Sequence, residues 1–115
     1  MPEIEIAQAF ELFYKACSAE EKGKMNLAEV YYLKSSVAFE QVGGKYFVNA
    51  ATALNALACL RKARGNYAGA MCSAKQALQV VKKLENQTSN LDVELICMEA
   101  WELIEELIHP EGSLN

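Results

Sequence analysis

Helix-breaking residues are scarce in this sequence. Two prolines and six glycines occur in 115 residues, and most of them stand at the ends of segments. That scarcity argues against a turn-dense all-β domain and for an all-α one. No apolar run approaches the roughly 18 residues needed to cross a membrane. The opening MPEIEIAQ is acidic, unlike the basic start of a secretion signal, so a cytoplasmic location is expected. The four cysteines, Cys17, Cys59, Cys72 and Cys97, are widely spaced with no CxxC pair. That spacing does not match a zinc site or a disulfide framework, and reduced, partly buried thiols are expected. Residues for catalysis are also few. There is one histidine, His109, and no HExxH, GxSxG or glycine-rich phosphate loop, the patterns that would carry hydrolytic or phosphate chemistry. Glu20-Glu21 and Glu105-Glu106 are adjacent pairs, which point apart on a helix and read as solvated faces. The sequence predicts no enzyme, no cofactor and no metal.

What the sequence does have is apolar content and patterned charge. Apolar residues make up 52% of the chain. This argues against disorder and, at this length, suits one domain with a single modest core. The net charge of −4 is unevenly spread. Residues 1–40 carry seven acids and four bases, residues 41–84 seven bases and no acid, and residues 85–115 eight acids and no base. Either the basic middle is flanked in space by acidic neighbours, the packing order of a helical solenoid, or it forms a patch for phosphate or nucleic acid. The acidic pI near 5 favours the first, and nucleic acid is not expected as a partner.

Helical periodicity divides the chain into five segments. In the first, about Pro2 to Lys22, residues Ile6, Ala9, Phe10, Phe13, Ala16 and Cys17 recur at spacings of three and four. Pro2, Glu3 and Glu5 suit a helix start. The second should run from about Asn26, as N-cap, to Val42, where Gly43-Gly44 stop it. The third covers about Lys45 to Arg64 and the fourth about Tyr67 to Leu84. ENQTSN is the clearest loop. Ser89 with Asp92 makes a capping-box-like start for a fifth helix that ends at His109-Pro110. In that helix Asp92, Glu99, Glu102 and Glu106 share one face. The remainder, rich in Leu, Ile and Met around Trp101, forms an apolar arc wider than one neighbouring helix pair can bury.

The stretch from Ala51 to Leu78 carries the most specific pattern. Leu54 is followed four residues later by a small one, Ala58; then come the turn Gly65-Asn66-Tyr67 and the small residues Ala70, Ala74 and Ala77. Helices that cross closely need small side chains at the crossing. Gly65 can adopt the left-handed conformation that ends a helix, and Tyr67 is expected to pack over the turn. Forty-two residues earlier, Leu12, Ala16, Gly23, Ala28 and Tyr32 stand at the equivalent places, and forty-two residues later Ile96 and Ala100 repeat the first-helix pair. This pattern resembles the tetratricopeptide repeat (TPR), two antiparallel helices joined by a tight turn. The common period is about 34 residues; the longer one is similar to the long-helix variety of kinesin light chains. Ala74 departs from the aromatic preferred there, and Lys82, Lys83 and Leu84 replace the closing proline. The resemblance implies an all-α antiparallel helix array, a TPR-like superhelix of five helices in a single domain over residues 1–109. Repeat one covers about 5–44, repeat two about 45–86 and a final helix about 90–109, with 110–115 as a flexible tail.

The resemblance also implies a function. TPR superhelices bind a partner protein or peptide mainly on the concave face lined by first helices. Carried over position by position, that face would hold Phe10, Phe13, Cys17 and Glu20, then Thr52, Asn55, Cys59 and Lys62, then Glu94, Cys97, Trp101 and Ile104. It would be mostly apolar, with Asn55 and Lys62 as polar points and Trp101 and the two phenylalanines as anchors. Its three cysteines are not expected to share a soft metal, because equivalent places on successive helices lie about 8–10 Å or more apart. The expectation is a protein–protein interaction module, an adaptor or small scaffold, using this surface and the last helix. The alternatives are self-association as a homodimer through a fifth helix too apolar to act as a cap, or a place within a longer array. Chaperone-binding TPRs clamp a C-terminal carboxylate with lysine, asparagine and arginine at set places, which here hold Phe13, Cys17, Ala56, Glu94 and Met98. Titration with an acidic chaperone C-terminal peptide should therefore show no binding in the micromolar range, and micromolar affinity would refute this reading.

Overall fold

The computed structural model describes residues 5–84 and 91–109. Among these residues the chain is all-α, with five helices packed in an array: α1 (Ile6–Glu21), α2 (Met25–Val42), α3 (Phe47–Ala63), α4 (Tyr67–Lys82) and α5 (Leu91–Ile108). A short 3-10 turn, Gly44–Tyr46, leads into α3, so α3 itself starts slightly later than its periodicity suggests. Each helix packs on the next in sequence, and α5 also reaches back to α3. No helix among the described residues is long and apolar enough to cross a membrane. Pro2, Glu3, the ENQTSN loop with Ser89, and Pro110 and the residues after it lie outside the described residues. At the start of α1, Glu5 forms a reciprocal capping box with Gln8, which satisfies backbone donors that a helix leaves open.

The two turns that carry the sequence pattern have the same geometry. Gly23 and Gly65 have φ of +76° and +84°. The Gly23 N–H donates to the Glu20 carbonyl at 3.0 Å and the Lys24 N–H to Ala19 at 2.8 Å; the Gly65 N–H donates to Lys62 at 3.0 Å and the Asn66 N–H to Arg61 at 2.8 Å. These paired reversing bonds form a Schellman motif. The residue after each glycine also matches, with φ −87° and ψ 72° at Lys24 and φ −86° and ψ 75° at Asn66. This corrects the expected N-cap of α2. It is Lys24, not Asn26, because the backbone turn sets the helix start without a capping side chain. Asn26 instead accepts a bond from Arg64 Nη2 at 2.7 Å. Only at Asn66 does a side chain add to the cap, its Oδ1 accepting the Gly69 N–H at 3.0 Å. Tyr67 does not cover the turn; it is 60% exposed, since the glycine and its two bonds close the reversal without it.

The core is built for close approach. Among the described residues more than half of the buried apolar side chains are alanines, including Ala16, Ala28, Ala58, Ala70, Ala74, Ala77 and Ala100, all fully buried. Small side chains at crossings let backbones come together. Larger groups fill what remains: Phe10 packs edge-on to Phe39 with ring centroids 4.9 Å apart, and Phe13 to Tyr32 at 5.7 Å. Leu57 and Leu60 of α3 pack with Ala16 and Ala19 of α1 and Ala28 and Tyr32 of α2. Leu103 and Ile104 of α5 pack on Ala58 and Ala74.

The uneven charge is resolved in space. The basic middle meets acids from both flanks: Arg61 and Arg64 pair with Glu29, Lys83 with Glu40, and Lys62 with Glu106. Arg61 is the most engaged, donating to Glu29 at 3.1 Å, to Ser73 Oγ at 2.8 Å and to the Gly69 carbonyl at 3.3 Å. It thus ties α3 to both α2 and α4. A Cβ at Gly65 would meet nothing within 4 Å, so Gly65→Ala isolates the backbone term. It should destabilise the fold by about 1–2 kcal/mol, read as a lowered urea midpoint with an unchanged slope.

Candidate protein-binding surface

The residues assigned to a binding face by sequence do not form one apolar groove. Asn55 and Ile104 lie inside the fold, 6% and 4% exposed. The Asn55 amide donates to the Ile96 carbonyl at 3.1 Å, so it links α3 to α5 and offers nothing to a partner. Ile104 joins the cluster around Ala58 and Ala74 because α5 is turned to bury Ile96, Ala100, Leu103 and Ile104. Phe10 and Phe13 are only half-exposed, held edge-on by Phe39, Tyr46 and Tyr32. Cys17 is half-buried beside the Tyr32 hydroxyl. Thr52 and Glu94 are exposed, and Cys97 is half-buried.

Between them the face is polar. Cys59 borders solvent, and the charges of Glu99 and Glu106 from α5, Lys62 from α3 and Glu20 from α1 all act on it. Helices α3 and α5 meet beside this position through the Lys62–Glu106 ion pair, and most of the charges that act on it are acidic. Desolvation pushes the Cys59 thiol up, Glu99 pushes it further, and Lys62 opposes them. Burial likewise raises Cys97. Raised thiols keep their protons and are poor nucleophiles or metal ligands. No cluster of three or more His, Cys, Asp or Glu side chains that could hold a metal forms among the described residues. Glu20 does more than face solvent: it accepts the Tyr32 hydroxyl at 2.7 Å.

The exposed apolar surface lies elsewhere. On α5, Leu95, Met98, Trp101 and Ile108 are 46%, 56%, 60% and 56% exposed. Their spacing places them on the side of the helix opposite the buried Ile96, Ala100 and Leu103. This is the excess of the apolar arc that the sequence showed. A second strip was not singled out from the sequence. On α2, Leu27, Val30, Leu33 and Val37 are each nearly half-exposed at spacings of three, three and four, a signal as regular as that of α5. Leu33 and Val37 border a groove of about 220 Å³ between α2 and α4, with Leu54 and Val80 among its other lining residues and Gln76, Gln79 and the Glu40–Lys83 pair at its edges.

Comparison with known proteins adds no assignment: no family model, no curated protein and no solved structure matches the chain. Among the described residues, the one strongly perturbed titrating group is structural. Burial, and then the bond to Glu20, hold the Tyr32 phenol well above its ordinary value of 10.0. Above that pH the unfolded chain releases this proton and the folded chain keeps it, so the contribution is present below about pH 10 and fades as pH rises further. The stability advantage of the native chain over Tyr32→Phe should therefore be level from about pH 7 to 9. It should then shrink by up to about 1.4 kcal/mol per pH unit above about pH 10, as read by urea unfolding; a gap that stays level through pH 11 would contradict this.

Proposed function

We propose that the chain is a short TPR-like array that acts as a protein–protein interaction module, docking a protein through the outer face of α5. The observation that carries this is the exposed strip of Leu95, Met98, Trp101 and Ile108. Large apolar side chains exposed together on one side of a helix favour an interaction site, and tryptophan is the residue type that most often dominates binding energy. Two further features support the repeat reading: the matched Schellman turns at Gly23 and Gly65, and the fully buried small residues that repeat with them, Ala16 with Ala58 and Ala28 with Ala70. The module has no catalytic role, and its concave face, acidic around Cys59, is secondary to α5.

Trp101 is the only tryptophan in the chain, so its emission reports on α5 directly. The native chain and Trp101→Glu, immobilised side by side and matched for helix content by circular dichroism, should differ in the proteins they retain, with loss of at least tenfold on substitution. Equal retention by both, together with native emission that stays at the wavelength of a solvated indole at every protein concentration, would sink this reading.

A further inference from the structure

The α5 strip and the α2 strip are complementary, and we propose that they bind each other between copies, so that the chain assembles head to tail. This rests on the reading of α5 as a docking face and names its partner as a second copy of the same chain. Charge selects the pairing. The acids of α5 are Asp92, Glu94, Glu99, Glu102, Glu105 and Glu106, with no base on the helix. Lys62 matches Glu106, and the others have no ion pair among the described residues. Pairing α5 with α5 across a two-fold axis would set these carboxylates against each other. On α2 the balance is reversed. Both acids of the helix, Glu29 and Glu40, are already taken by Arg61, Arg64 and Lys83, whereas Lys24 and Lys34 are exposed and have no ion pair among the described residues.

Shape points the same way. Trp101 is the largest side chain on the α5 strip and stands free of the core. The α2–α4 groove, at about 220 Å³, is smaller than the roughly 300–1,000 Å³ of small-molecule pockets and suits one anchoring side chain. Its apolar walls, Leu33, Val37, Leu54 and Val80, take the indole ring; Gln76 and Gln79 line the same groove and can accept its N–H. Because the two surfaces differ, a pair of copies keeps one face of each kind unused, one on each copy, and growth continues into a ring or filament.

Light scattering and sedimentation over a wide concentration range test this. The mean mass of the native chain should pass twice that of one copy as concentration rises, and should fall with added salt, which screens exposed opposite charges. Trp101→Glu and Val37→Glu, both at exposed positions, should each remain monomeric with unchanged helix content; Leu33→Glu serves if Val37→Glu fails to fold. The decisive arm mixes the α5 variant with the α2 variant in equal amounts. Each retains one intact face, so the mixture should reach twice the mass of one copy and stop there. A native mass that stops at two copies, with no complementation in the mixture, would replace this assembly with an α5–α5 pair. A native chain monomeric throughout overturns it as well. Trp101-dependent retention of some other protein would then leave the docking face standing, and its absence would remove both.

Discussion

Close approach of helix backbones is the constraint on which this structure depends. Alanine dominates the buried apolar set, and the fully buried Ala16, Ala28, Ala58, Ala70 and Ala74 come from four successive helices. With little side-chain bulk between helices, the array gains contact area through proximity and not through large anchors. The same constraint explains the tight turns. Two helices that lie this close leave room for only a short reversal, and a glycine in the left-handed region with two backward hydrogen bonds closes it at Gly23 and again at Gly65. Substituting a larger group at any of these alanines would force apart helices that other contacts hold together.

Polar contacts then fix which helices meet. Arg61 reaches Glu29 on α2 and Ser73 on α4 from a half-buried position on α3. Removing either partner of such a pair costs more than an exposed ion pair would, because a charge is left without compensation. The exposed pairs Lys62–Glu106 and Lys83–Glu40 contribute little stability by themselves. Their effect is on the surface: they neutralise parts of the basic middle segment and leave the outer side of α5 acidic and that of α2 basic. This division gives two apolar strips of similar layout different electrostatic partners.

The proposed docking face follows from where the array stops packing. Helix α3 packs against α2, α4 and α5 and buries most of its circumference, from Ala50 and Ala53 to Leu57, Ala58 and Leu60, leaving only the face with Thr52 and Cys59 exposed. Among the described residues helix α5 packs chiefly on α3 and α4, and the side of it with Leu95, Met98, Trp101 and Ile108 stays in solvent. That side is an apolar strip set among carboxylates, most of them without an ion pair among the described residues.

The sequence by itself determined the all-α class, the five helices, the turn glycines and the small residues at crossings, because each rests on local rules: periodicity, the conformational freedom of glycine, and alanine at fixed offsets. It also showed that α5 carries more apolar surface than one helix pair can bury. It could not decide rotation. Asn55 and Ile104 share the spacing of Cys59 and Trp101, yet the first two are buried and the last two border solvent. That difference depends on how α5 is turned against α3 and α4, which is set by Leu103 and Ile104 settling over Ala58 and Ala74. The polar centre around Cys59 and the groove between α2 and α4 likewise arise from residues far apart in sequence. Only the packing of one helix pair on the next brings them together.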